Sequence, residues 1–285
     1  MGIGHHGQMQ AAVEETRIRA AGPIVEAIAS QRRRDRLRFR LIFVATWLVL
    51  VGLFVGFLVQ ANQIDLEFLA EWQAYILGGV GTTIVVAVAS VLFATILAVF
   101  GALGRLSSNA VVYGIASFYV SLVRGTPLIV QILFVYLALP QIWRDLARVD
   151  AVILGIVALS FNYGAYMTEI FRAGIQAIPR GQVEAAAAIG MTDRLTMRRV
   201  ILPQAVRIVT PAIGNEFIAM IKDSALVSII GVQELLWRAQ RVGTQSFRSL
   251  ETLLLAALIY WMLTVVLSVF QDRLEKRMAE SDRRI

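Results

Sequence analysis

No cysteine occurs anywhere in the 285 residues, so a disulfide framework, a thiolate metal site and a cysteine nucleophile are all excluded. Lysine is almost missing too: Lys222 and Lys276 are the only two, and 25 of the 27 basic residues are arginine. The two histidines, His5 and His6, are adjacent and lack further ligands, so they make no metal set. There is no G-x-x-x-x-G-K-[ST] phosphate loop, and no glycine precedes either lysine, so the chain is not itself an ATPase of that kind. "GIGHHG" (2–7) matches the dinucleotide pattern G-x-G-x-x-G, but it follows no strand and opens no βαβ unit. No serine–histidine–acid set and no H-E-x-x-H is present. Charge is scarce as well, at 16% of residues, against about 25% in ordinary soluble domains.

What fills the chain instead is apolar: 58% of residues, with a mean hydropathy of +0.68. Both values indicate a membrane protein. The net charge of +7 does not point to nucleic acid, because most arginines flank apolar runs. That placement suits anionic lipid and a positive-inside topology.

The first apolar run, "LIFVATWLVLVGLFVGFLV" (41–59), carries no charge and is long enough to cross a bilayer core of about 30 Å. It starts too deep for a cleavable signal peptide. "QRRRDRLRFR" precedes it with six arginines and one aspartate, and three acids with no base follow in 60–75. This asymmetry puts the N-terminus inside and 60–75 outside. Further spans are expected at 76–104, 110–139, 151–171, 204–232 and 252–271. The 110–139 run is too long for one straight span, and Arg124-Gly125-Thr126-Pro127 sits in its middle. Pro127 removes a donor and disfavours helix at the residue before it, so the run reads as one long, broken helix. Six spans put both ends inside. Residues 1–40 then form a cytoplasmic tail, with short amphipathic helices or loose chain before the arginine run, and 273–285 form a second, solvated tail. One segment opposes this topology: the outside loop 233–250 carries Arg238, Arg241 and Arg248 against Glu234.

A short polar stretch interrupts the apolar pattern: "EAAAAIGMTDRLTMRRVILP" (184–203). Pro179 before it and Gly190 within it mark the start and stop of two to three helical turns, expected at about 180–192. Its alanines give a strong helix with little bulk, able to enter a groove closely. Glu184 is expected near the first turn, where negative charge is favoured. Gly190 suits a left-handed stop, and Leu202-Pro203 should end the segment after it. An interfacial helix lying along the membrane fits this composition as well as a docking helix does.

These residues resemble the EAA motif of ABC-importer permeases: E-A-A, three residues, G, nine residues, I, one residue, L-P. The matching positions are Glu184, Ala185, Ala186, Gly190, Val200, Leu202 and Pro203, with valine in place of isoleucine. "RGTPLIVQ" (124–131), "FNYGAYMTEIFRAGI" (161–175), "ILPQAVRIVTPAIGNEFIAMIKDSALVSIIGVQEL" (201–235) and "GTT" (81–83) are similar to permeases for polar amino acids of the histidine/glutamine/arginine type. The resemblance covers about residues 76–272. It implies an all-α membrane protein: a MetI-like ABC importer permease core of five transmembrane helices, plus one extra N-terminal transmembrane helix at 41–59. It implies a multi-pass protein of the bacterial cytoplasmic membrane that is not an enzyme. ATP and Mg²⁺ would belong to a dimer of partner ATPase subunits, gripping the EAA loop as a coupling helix. A second permease chain, identical or paralogous, and an extracytoplasmic solute-binding protein complete the expected assembly. Closure of the ATPases would rock the spans from inward-open to outward-open.

A charge at membrane depth costs about 2.5–3.5 kcal/mol on insertion scales and usually faces a bundle interior or cavity. Arg124, Glu169, Glu216, Lys222 and Asp223 are such charges, and Asn162 and Asn215 are neutral polar companions. Thr126, Gln131 and Tyr166, in the family-like segments, complete the candidates for a translocation path or gate. Each has a plainer role available. Arg124 can cap carbonyls freed by the break. Glu169 and Arg172 are three apart on one helix face and placed to pair. Asn215 and Glu216 follow Pro211 and Gly214, where a second break would loosen the helix. Lys222 and Asp223 can mark the wet end of a span. The positions fall in family-wide segments, which favours a common gate over the choice of one solute. The rival reading is an ion- or proton-driven secondary carrier, which should show repeated halves with matching broken helices.

Overall fold

The computed structural model describes residues 31–57 and 64–282. The motif at 2–7 and the expected amphipathic segments before residue 31 lie outside the described residues. The chain divides into two units, 1–64 and 65–285. In the first, α1 (Gln31–Phe57) starts ten residues before the apolar run, so the arginines of 31–40 are part of the same helix. At 27 residues it is roughly 40 Å long, enough to span.

In the second unit every element among the described residues is helical. Asp65 caps α2 (Leu66–Leu77), its carboxylate accepting from the N–H groups of Glu67 and Phe68. Much of the stretch expected as an outside loop is therefore helix. Gly78-Gly79 joins it to α3 (Val80–Arg105). Asn109 caps α4 (Ala110–Arg124). After the break come α5 (Leu128–Leu133), a π turn (Phe134–Ala138) and α6 (Leu139–Ile142). The two arms of this broken span meet at 106°. Next are α7 (Ala151–Gln176), α8 (Arg180–Ala188) and α9 (Asp193–Thr196). A π turn (Met197–Ile201) runs into α10 (Leu202–Asp223), followed by a 3₁₀ turn (Ser224–Ile230). α11 (Leu235–Ser246) and α12 (Ser249–Asp282) complete the chain.

Among the described residues, four helical stretches are long and apolar enough to cross a membrane, and the bent pair makes a fifth. The sixth expected span, α10, has 22 residues, roughly 33 Å, but carries Arg207, Glu216, Lys222 and Asp223 and is too polar for that criterion. Two expectations need correction. Leu202-Pro203 does not end a helix: Pro203 sits at the start of α10, where an absent N–H costs little. No break occurs at 211–214, and α10 passes through Pro211. The last helix continues past the expected span, because "QDRLEKRMAESD" consists largely of good helix formers, and Gln271 bonds Glu275 one turn on.

Close packing of α3 along α7 organises the unit. α3 turns small residues inward: Ala87, Ser90, Ala94, Ala98 and Ala102 are buried. A Cβ on Gly101 would collide with the Thr168 side chain, and one on Gly164 would sit 2.9 Å from Leu97 Cβ. Without a hydrophobic drive between helices in lipid, such small-residue contact lets dispersion hold them together. At one end, α3 seats on α11. The buried Glu234 carboxylate caps α11 through the N–H groups of Leu236 and Trp237 and accepts from the hydroxyls of Thr83 and Tyr260. Thr83 Oγ1 accepts from Leu235 N–H at 3.2 Å.

The same end explains the arginines that oppose the charge rule. Arg248 pairs with Asp65 at 2.7 Å and lies 3.6 Å from Glu251. Arg238 donates to the Tyr75 carbonyl at 3.0 Å and lies over the Tyr75 ring. Arg241 lies over Trp237. These charges are built into the fold rather than spread over a free loop. The Phe68 N–H, and then the Arg248 guanidinium, hold the Asp65 carboxyl below the usual carboxylate range. A depressed folded pKa means the contact is fully present above the unfolded value near 3.8 and is lost as pH falls through the lower folded value.

A Cβ at Gly79 would lie 2.7 Å from the backbone of Leu235, where no side-chain rotation can relieve it. Gly79→Ala should therefore cost about 1–3 kcal/mol. A thermal unfolding midpoint below wild type in detergent is expected; an unchanged midpoint would refute the α3–α11 seat.

Candidate functional site

The break at 124–127 shapes a cavity of about 590 Å³ between α4, α5, α7 and α10. Gly125 ends α4, and Pro127 starts α5 with an extended backbone. A break at membrane depth strands carbonyls that water cannot reach. Gln131 answers that need: its Nε2 donates to Val123 O at 2.7 Å, Thr126 O at 3.1 Å and Thr126 Oγ1 at 2.8 Å. Asn162 Nδ2 then donates to Gln131 Oε1 at 3.1 Å, tying the bend to α7.

Three charges face the cavity: Arg124 from α4, and Glu216 and Asp223 from α10. The Arg124 guanidinium lies 5.3 Å from the Tyr166 ring centre. Tyr163 donates to Asp223 Oδ2 at 2.7 Å. Among the described residues, none of the three charges has a salt-bridge partner within 4.0 Å. One cation and two carboxylates thus remain available to a ligand carrying both signs of charge.

The structure brings six of the expected path residues to this cavity: Arg124, Thr126, Asn162, Tyr166, Glu216 and Asp223. Gln131 supports the wall from behind. Three others fall elsewhere. Glu169 forms the expected pair with Arg172 at 2.7 Å and a second with Arg105 at 3.2 Å, so its charge is spent on joining α3 to α7. Asn215 and Lys222 are exposed on α10, off the cavity. Tyr163, Gly125, Pro127 and Leu128 line the cavity without having been singled out. The signal for Tyr163 was present: it lies beside Asn162 and three residues before Tyr166, on a face already rich in polar groups.

A second surface lies at the end of α7. Pro179 starts α8, and Gly190 stops it at φ +79°, as the punctuation predicts. Met191 N–H bonds Ala186 O at 3.0 Å and Gly190 N–H bonds Ala187 O at 2.9 Å, the paired closure of a Schellman stop. Glu184 is the fifth residue of α8 and lies beyond the first turn, so the expected dipole advantage does not apply. Only Ala186 of α8 is buried; Glu184 and Ala185 are exposed, and Ile189 just after them is 79% exposed. Gln204 Nε2 holds the helix in place, bonding Gln182 Oε1 at 3.1 Å and Val200 O at 2.8 Å. Val200 is half-buried, whereas Leu202 and Pro203 are exposed at the start of α10.

Comparison with known proteins adds context. The family model described as "Binding-protein-dependent transport system inner membrane component" matches residues 90–280. The arginine transport system permease protein ArtQ of Bacillus subtilis is 38% identical over 208 residues, covering 73% of this chain and 94% of the relative. The L-cystine transport system permease protein TcyB of the same organism is 41% identical over 202 residues, covering 70% and 85%. Among solved structures, an amino acid ABC transporter "with histidines" matches with TM-score 0.71 and 37% identity, over 75% of this chain and 99% of that one. The MetNI methionine ABC transporter, in an inward facing conformation, matches with TM-score 0.64 at 20% identity over 73% and 98%, a likeness of fold alone.

Gln131→Leu removes the donor that satisfies the break and should cost about 1–3 kcal/mol locally. The chain has no native cysteine. A single cysteine placed at buried Val123 should react several-fold faster with a water-soluble maleimide when Gln131 is leucine. Equal reactivity would show that the bend does not depend on Gln131.

Proposed function

This chain belongs to the family of binding-protein-dependent transport system inner membrane components, and we propose how its two surfaces serve that family's task. It is the membrane-spanning permease subunit of an ATP-binding-cassette importer for polar amino acids, and it is not an enzyme. ATPase and binding-protein partners follow from that membership in general terms. The finer assembly belongs to the proposal. Two ATPase subunits carrying ATP and Mg²⁺ grip α8, and a second permease chain completes the pathway. An extracytoplasmic binding protein delivers the solute, and both termini lie on the cytoplasmic side.

The relatives' names include arginine, cystine and glutamine. What those solutes share is an α-carboxylate and an α-ammonium. The cavity's unpaired guanidinium and two unpaired carboxylates match that pair of charges. In this reading Arg124 meets the carboxylate, Glu216 and Asp223 meet the ammonium, and Tyr163 and Asn162 hold the wall. Thr126 and Gln131 keep the bend that creates the opening.

The observation that carries the coupling role is the continuity of α10. Gln204, near its start, bonds α8. Glu216, twelve residues and roughly 18 Å further along the same helix, faces the cavity. A displacement of α8 therefore reaches the cavity wall without crossing a loop. Glu184, Ala185, Ala186 and Gly190 form the docking piece in this scheme. Val200, Leu202 and Pro203 form the turn that carries its motion into α10. The secondary-carrier reading loses its second broken helix, because α10 runs unbroken through Pro211.

Glu184→Arg tests the docking role. The variant should insert normally, since Glu184 is exposed. It should retain the ATPase subunit at least about tenfold less well in a mild-detergent purification, about 1.4 kcal/mol. Undiminished retention together with normal uptake would remove α8 from the coupling role.

A further inference from the structure

Phe247 is the one non-glycine residue with positive φ among the described residues, at φ 57°. It closes α11 in a left-handed conformation that suits glycine or asparagine far better. It is also 96% exposed. An aromatic side chain at this position therefore works against the backbone. Strain of this kind persists where the surroundings impose it and tends to mark function.

The surroundings here are firm. Arg248, the next residue, is locked to Asp65 at 2.7 Å, and Asp65 N–H donates to Glu251 Oε1 at 2.7 Å. Gly243 lets α11 close on α12: a Cβ there would lie 2.9 Å from Ser249 Cα. The ring thus projects from a fixed turn and loses little freedom when it is covered. On the helix leading to it, Arg238 and Arg241 have no carboxylate within ion-pair range among the described residues. Each is steadied instead over an aromatic ring, at 5.1 and 5.6 Å. Thr244, Gln245 and Ser249 around the turn are exposed and polar, which suits a wet protein contact better than lipid.

The turn also sits at the far end from α8. α7 runs 26 residues to reach α8, and α10 runs 22 residues back before α11 begins. The end that carries Phe247 is therefore a full span from the proposed ATPase surface.

We propose that the α11–α12 turn is a docking knob for the soluble binding protein, with Phe247 entering an apolar pocket and Arg238 and Arg241 meeting carboxylates at its edge. An aromatic anchor with arginine neighbours is the composition of an interface hot spot. The exposed cation of Arg241 would add steering that weakens with salt. The proposal rests on the importer reading and adds to it where the delivering partner sits.

The experiment replaces Phe247 with the photoreactive analogue p-benzoylphenylalanine in cells expressing the whole transporter. Adducts are identified by mass spectrometry. The expected adduct is a secreted solute-binding protein; an adduct only with phospholipid, only with a second copy of this chain, or with nothing would overturn the proposal. The captured protein is then titrated against the purified permease–ATPase complex in vesicles of phosphatidylethanolamine and phosphatidylglycerol. Phe247→Gly suits the left-handed backbone, so its thermal midpoint should not fall below wild type. Its half-saturating concentration of binding protein should rise at least about tenfold. An unchanged value, with wild type stimulated normally, overturns the knob alone. Absence of any ATPase bound to the wild-type permease would instead overturn the importer reading.

Discussion

A backbone group left unpaired in hydrocarbon costs several kcal/mol, and this requirement governs where the chain can stop being a helix. The chain leaves helix at membrane depth where something supplies the missing partners. At 124–127 that supplier is one side chain, Gln131, whose amide reaches two carbonyls and a hydroxyl. Thr126 adds its own hydroxyl, donating to Leu122 O at 3.0 Å. The cavity exists because the 106° bend can be afforded there. Its charges sit there because a polar opening is the place where they escape the cost of lipid.

The charges divide into two groups by what surrounds them. Glu169 is enclosed by Arg105 and Arg172, and Arg105 also reaches Ser117 on α4, so this cluster acts as a strut between α3, α4 and α7. Glu234 is likewise consumed by capping and hydroxyl bonds. Arg124, Glu216 and Asp223 are not paired off in this way. They face one cavity from two helices, Arg124 from α4 and Glu216 and Asp223 from α10. A carboxylate without an ion-pair partner beside a cavity is a stronger indicator of ligand work than charge at membrane depth by itself.

That difference marks what the sequence could and could not reveal. The long apolar helices, the broken helix and the stop at Gly190 were legible because each follows from a local rule: apolar length, a missing N–H, a left-handed glycine. Most of the cavity lining was legible because few polar residues occur at that depth. What was not legible depended on contacts far apart in the chain. Arg172, three residues on, already set Glu169 apart from Glu216, but its second partner, Arg105 of α3, lies 64 residues away. Asp65 and Arg248 are 183 residues apart, and their pairing explains arginines that seemed to contradict the topology. Pro211 signalled a break by the same rule that succeeded at Pro127, but there the neighbours decided otherwise.

The reason at Pro211 bears on how motion would travel. Gly214 leaves room for Gln271 of α12, whose carbon chain comes to within about 3.1 Å of where a Cβ would be. Gln271 Nε2 donates to the Pro211 carbonyl at 3.2 Å and to Glu275 at 2.9 Å. α10 is thus braced from the side at the level where proline weakens it. A proline without that brace would act as a hinge, and a push from α8 would be spent in bending. In the proposed coupling, α10 moves together with the part of α12 that holds it. The proposed coupling then needs no flexible joint between the docking helix and the cavity.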